Sequence, residues 1–179
     1  MAAHPFLDAG EYEALQAAAG WRAAFELIGG QAVVTPPTGG HASSVQGELH
    51  YALRRWQETA ADSGLVLQDV FLRLLGGHYL APDVAWWAAE RRPPLVSGAL
   101  DVVPDLVIEV LSPATRINDL GPKPQIYLAA GVRELWLVDP ETAEVTVTGP
   151  AGSQGVGDRL ASPLLPHFEI ELDRLFASR

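Results

Sequence analysis

The chain has 179 residues, 48% of them hydrophobic, no cysteine, and a formal charge of −10. That length and apolar share fit a globular chain with a real core and exclude wholesale disorder, while the missing thiols exclude disulfides and thiolate metal sites. The acidic balance opposes tight, purely electrostatic binding to nucleic acid, an affinity that comes mostly from Lys and Arg at phosphates, although a local basic patch or bound divalent cations reverse the sign where it matters.

The opening MAAHPFLDAGEYEALQ has no basic region followed by a long apolar run, so neither a signal peptide nor a membrane span is expected. A cysteine-free chain also suits the reducing cytoplasm. Asp8 with Glu11 can cap a short helix running to about Ala19 and stopped by Gly20. Residues 1–20 thus read as an N-terminal helical extension ahead of a single domain over residues 21–179. FELIGGQAVVTPP reads as two strands joined at Gly29 and Gly30, a pair able to take the positive φ angles of a tight hairpin. A long helix is expected from Ser43 to Ala61, with Val45, Leu49, Leu53 and Trp56 on one stripe, and Gly64 as its breaker.

GLVLQDVFLRLLGGHYLAPDVAWWA reads as strand, Gly-Gly turn, strand, the second strand putting Asp83, Ala85 and Trp87 on one face. ERRPPLVSGALDVVP is a loop, broken by Pro93, Pro94 and Gly98. After the strand PDLVIEVLSP come a helix around Pro124 to Ala130, a stop at Gly131, the strand ELWLVD and its hairpin partner EVTVTGP. AGSQGVGD reads as a loop, and HFEIELDRLF as a short strand with a helical turn. This order predicts an α/β (α+β) fold, a mixed sheet covered by helices.

Glu109 interrupts the strand PDLVIEVLSP, in which Val107, Glu109 and Leu111 share one face and Leu106, Ile108 and Val110 the other. Apolar groups on both faces indicate an interior strand, where an unpartnered carboxylate costs several kcal/mol or takes up a proton. A partner is required. Asp83 follows Pro82 in a second apolar strand, and adjacent strands about 4.8 Å apart let two carboxylates share one cation. None of the five histidines, His4, His41, His50, His78 and His167, falls in a close ligand spacing, so oxygen ligands remain, which favour Mg²⁺ or Mn²⁺. Lys123 is the sole lysine beside eleven arginines. Its compact ammonium can stabilise an oxyanion or orient a water, but a stray surface lysine is an equal reading.

APDV at Ala81–Val84, PDLVIEVLSPATR at Pro104–Arg116, then DLGPK, a Tyr, AGV and ELWLVD up to Asp139 resemble the putative restriction endonuclease family sometimes called Uma-two, of the PD-(D/E)XK nuclease superfamily. FELIGGQAVVTPP with His41 and the long helix is similar too, as is the closing PHFEIELDRLF, so the resemblance spans the chain from about Trp21. It implies a restriction-endonuclease-like mixed sheet flanked by helices and metal-assisted hydrolysis of phosphodiester bonds in nucleic acid, DNA first. Asp83, Glu109 and the Val110 carbonyl would hold Mg²⁺ or Mn²⁺, and Lys123 would supply the superfamily's lysine from the following helix. The basic superfamily motif has that lysine two residues after the acid, where this chain has Leu111. Glu26 is a candidate additional acid, and Asp119 a candidate for positioning the lysine or for capping a helix.

Pro122 and Pro124 flank Lys123, and a helix starting at Pro124 would make Lys123 its cap and turn the amine away. Glu109 would then pair with Arg116 or Arg133 instead. A second function class follows from that arrangement, a non-catalytic nuclease-fold module for binding or assembly. Trp86, Trp87 and the strands ELWLVD and EVTVT offer apolar surface for a homodimer, with core packing as the equal alternative.

Overall fold

The computed structural model describes residues 6–19, 25–34, 39–60, 63–113 and 115–177. In chain order its elements are α1 (Ala9–Ala18), β1 (Phe25–Ile28), β2 (Gln31–Val34), α2 (Gly40–Thr59), β3 (Leu65–Gln68), β4 (Leu72–Leu74), β5 (His78–Leu80) and β6 (Val84–Trp87). There follow β7 (Leu106–Val110), α3 (Arg116–Asp119), α4 (Pro122–Ala130), β8 (Glu134–Asp139), β9 (Glu144–Gly149), β10 (Gly152–Gly155), β11 (Arg159–Ala161), β12 (Glu169–Glu171) and α5 (Leu172–Leu175).

The larger sheet has the order β10-β9-β8-β7-β6-β3. Only β7 and β8 run parallel, and a parallel pair cannot be closed by a hairpin, so α3 and α4 make the crossover between them. A second, antiparallel sheet has the order β2-β1-β5-β4, and β11 pairs with β12. The mixed sheet covered by helices therefore matches the expected fold class.

Every residue of β7 is buried, and the two faces of the strand feed two different cores. Leu106, Ile108 and Val110 join Val45, Leu49, Leu53 and Trp56 of α2, with Trp86, Trp136 and Phe168. Val107 instead joins Leu72, Leu74, Leu80, Ala85, Trp87, Leu135 and Tyr127, which belong to the small sheet, the large sheet and α4. The alternation of β7 thus directs Glu109 toward α4 and the small sheet, away from α2. Each fully buried Leu or Val contributes about 1.5–3 kcal/mol, so these apolar layers supply the force that keeps a carboxylate enclosed.

Local chemistry explains most element boundaries. α1 starts at a capping box, the Asp8 carboxylate accepting from Glu11 N–H and the Glu11 carboxylate accepting from Asp8 N–H. Gly29 and Gly30, at φ 58° and 78°, turn β1 into β2. The expected stop at Gly20 lies outside the described residues.

Several boundaries differ from expectation. α2 begins three residues early, at Gly40, and ends at Thr59, before Gly64. Gly64 serves another purpose: at φ 76°, a Cβ there would lie 1.9 Å from the Trp87 carbonyl oxygen, so only glycine lets β3 pair with β6. The stretch read as one strand pair is four strands shared between two sheets, because Asp69 takes φ 50° and ends β3, and Pro82 separates β5 from β6. AGSQGVGD is not all loop: Gly152–Gly155 is fully exposed yet pairs with β9 through its backbone, which needs no apolar pattern. Trp86 and Trp87 are core residues, as are Leu135, Trp136 and Val138, so none of them offers surface to a partner.

Candidate active site

Asp83, Glu109, Lys123, Glu26 and Asp119 converge where the large sheet, the small sheet and α4 meet. Asp83 is the residue before β6 rather than within it. Val84 pairs with Ile108 and Ala85 with Val107, so Asp83 continues the register opposite Glu109. Its Oδ2 accepts the Val110 N–H at 2.5 Å. Glu26 comes from β1, where its Oε1 accepts the Ala81 N–H at 2.8 Å and ties β1 to the connector that leads from β5 into Asp83.

Lys123 lies inside this group. Its Nζ is 3.0 Å from Glu26 Oε2, 3.3 Å from Glu109 Oε1 and 2.9 Å from Asp119 Oδ1, and its side chain is 3% exposed. The flanking prolines do not turn it away. α4 starts at Pro122, so both prolines fall in the first turn, where the missing N–H is not needed, and Lys123 is helical with its amine aimed at the acids. Asp119 is not a helix cap. It ends α3 with its carboxylate buried against Lys123 one turn on. The alternative partners of Glu109 are engaged elsewhere: Arg116 pairs with Asp139 at 2.6 Å, and Arg133 lies 3.4 Å from Asp105.

Two residues at the site escape a reading of the sequence alone. Tyr127, fully buried, donates to Glu109 Oε1 at 2.7 Å. Its position four after Lys123, hence on the same helix face, is the signal that marks it. Gln46 on α2 donates to Asp69 Oδ1 at 2.9 Å and to the Asp83 carbonyl at 3.3 Å, buttressing the turn from the opposite side of the sheet. A polar residue beside Val45 on the buried stripe is its only trace. His41, in the first turn of α2, has its Nε2 buried without a hydrogen bond among the described residues.

Acids outnumber the ammonium, and the ionisation of each group follows. Burial pushes Asp83 up to about 7; the Val110 N–H opposes the shift, the Asp119 charge adds to it and Lys123 opposes it again. Burial likewise raises Glu109 well above the ordinary carboxylate range, against the pull of Lys123. Glu26 is raised for the same reason. Burial alone would lower Lys123, but Glu109, Glu26 and Asp119 outweigh it and keep the amine protonated. Burial and then the Glu109 charge hold the Tyr127 phenol well above its usual range, so it stays a donor.

This donor set fits a hard cation in its chemistry. Asp83 commits Oδ2 to Val110 and Glu109 commits Oε1 to Lys123 and Tyr127, which leaves the second oxygen of each acid without a hydrogen bond among the described residues. Surplus carboxylate held in low dielectric is what a divalent ion neutralises. Among the described residues no group of three or more His, Asp or Glu side chains is already arranged around a metal position. No helix among them is long and apolar enough to cross a membrane.

No curated protein matches the chain. Its fold is shared with the crystal structure of a putative nuclease from Anabaena variabilis, which is 21% identical, with a TM-score of 0.81 over 96% of this chain and 98% of that one. The family model described as Uma2, putative restriction endonuclease, matches residues 9–173, a span that takes in Glu26, Asp83, Glu109, Asp119 and Lys123, and the chain belongs to that family.

Proposed function

We propose that this protein is a metal-dependent endonuclease that hydrolyses phosphodiester bonds, with DNA as its substrate and Mg²⁺ or Mn²⁺ as its cofactor. The observation that carries this reading is the lodging of the chain's one lysine among buried acids from separate elements. A merely structural core gains little from such a group, since replacing a buried ionic cluster with apolar residues is often neutral or stabilising. Membership in a family described as putative restriction endonucleases supports the same reaction class.

Asp83, Glu109 and the Val110 carbonyl would hold the ion, which when bound supplies Lewis acidity toward water and the phosphate oxygens. Asp83 is kept in place by the Val110 N–H, and Glu109 by Lys123 and Tyr127, so both acids are pre-oriented. Glu26 and Asp119 hold the Lys123 amine charged at the edge of Glu109. From there the ammonium orients the attacking water and counters negative charge growing on the phosphoryl group. Burial strengthens each of these interactions relative to bulk water.

The test is a cleavage panel of duplex DNA, single-stranded DNA and RNA with Mg²⁺, Mn²⁺ or chelator, run beside Asp83→Asn and Glu109→Gln. Metal-dependent cleavage of DNA that falls by at least about 100-fold in both folded variants is the expected result. Equal cleavage by wild type and variants would refute the assignment, and no cleavage under any condition would leave a nuclease-fold binding or assembly module instead.

A further inference from the structure

Lys123 and Tyr127 stand one turn apart on α4, and both reach the same atom, Glu109 Oε1, at 3.3 and 2.7 Å. The two prongs differ in stiffness. Lys123 ends a flexible four-carbon stem and divides its charge among Glu26, Glu109 and Asp119. Tyr127 is a rigid ring, fully buried in the cluster that contains Val107, Trp87 and Leu135, and its hydroxyl donates to Glu109. A carboxylate held through one oxygen by a single amine can turn about its terminal torsion, which is broad and shallow. Adding a donor fixed by packing removes that freedom.

We propose that Tyr127 is a positioning residue, whose hydroxyl locks the Glu109 carboxylate by Oε1 so that Oε2 is presented beside the free oxygen of Asp83. Asp83 is pinned in the same manner, through Oδ2 on the Val110 N–H. The two acids, Glu109 on β7 and Asp83 just before the neighbouring β6, are therefore each clamped by one oxygen and open at the other. The inference rests on the metal-dependent reading above and extends it to a residue outside the acids and the lysine. Groups that orient a ligand without touching the ion typically change metal affinity or activity by about 10–100-fold when removed.

Tyr127→Phe keeps the buried ring and deletes only the donor. Free Mn²⁺ measured by electron paramagnetic resonance, without nucleic acid, should report an affinity for the variant about tenfold weaker than for the wild type. The same substitution made in a Glu109→Gln background should have no further effect, since the hydroxyl acts through that carboxylate. Cleavage by Tyr127→Phe should show a fall in kcat at unchanged KM. Wild-type affinity in Tyr127→Phe, or an equal loss of affinity in the Glu109→Gln background, would overturn the proposal while leaving the metal-dependent reading intact. Absence of Mn²⁺ binding by the wild type would overturn both. Should Tyr127→Phe fail to fold, the wild type still decides: the downfield proton resonance of the Tyr127 hydroxyl should move during a Mg²⁺ titration, and a resonance unmoved at saturation contradicts the assignment.

Discussion

Asp83 retains an ionisable carboxyl in a buried position, and with its pKa raised to about 7 the native protein holds a proton that the unfolded chain releases near pH 4. Stability from this group is complete below the unfolded value and is lost as pH rises through the folded one, between about pH 4 and 7. In metal-free protein at about pH 8, Asp83→Asn should therefore be more stable than wild type, by on the order of 3 kcal/mol. At about pH 4 the gain should vanish, because both forms are then neutral at this position. Urea denaturation of both proteins at the two pH values in chelator measures it, and a gain that does not shrink on acidification would contradict the assignment. Asp83 and Glu109 are legible in the sequence for the same reason that they are costly: each interrupts an apolar strand, where a charge demands an explanation. Lys123 is legible by its singularity. Tyr127 is legible only faintly, by its place four residues after Lys123, because a tyrosine among apolar residues has packing as its ordinary role, and the 2.7 Å contact with Glu109 reveals the other.

At the scale of elements, the site depends on how α3 hands the chain to α4. Asp119 ends α3 and Lys123 is the second residue of α4, and only Leu120 and Gly121 lie between the two helices. A Cβ on Gly121 would lie 2.5 Å from the Ile117 carbonyl oxygen, a backbone atom of α3 that cannot swing aside. Gly121→Ala should thus push the two helices apart, with a loss of about 1–3 kcal/mol in stability, typical of overpacking, and a larger proportional loss of cleavage. Thermal denaturation and initial rates on one preparation check both. Unchanged rates would mean that the Asp119 to Lys123 contact does not matter. The short α3 is invisible to periodicity, since four residues make one turn and Ile117 is 81% exposed, so no stripe forms. The strands of the active-site core fare better. β7 and β8 show their burial as continuous apolar runs, whereas β4 and β5 read as part of their neighbours. The assignment of those two strands to the second sheet depends on backbone breaks at Asp69 and Pro82 that a hydrophobic pattern does not carry.

For the whole molecule, the formal charge of −10 has to be reconciled with a polyanionic substrate. Most of the described arginines are already neutralised: Arg73 pairs with Glu13 and Asp101, Arg91 and Arg133 with Asp105, Arg116 with Asp139, and Arg159 with Glu169 and Glu171. Arg54, Arg55, Arg92 and Arg174 form no ion pair among the described residues; Arg92 follows Arg91, which is paired with Asp105, and the other three stand on α2 and α5. Those helices pack on the opposite face of the large sheet from Glu109. Little free positive charge therefore surrounds the acids, and engagement of a phosphodiester depends on the bound cation rather than on a basic groove. In chelator, where cleavage is off, the affinity for duplex DNA should be weak and only mildly sensitive to salt. Each neutralised phosphate contributes about −0.9 to the slope of log K against log salt, so a slope shallower than about −3 is expected by fluorescence anisotropy between about 50 and 200 mM NaCl. A slope of about −6 or steeper would require a basic surface that the described residues do not provide, and would move substrate recognition away from the cluster formed by Glu26, Asp83, Glu109 and Lys123.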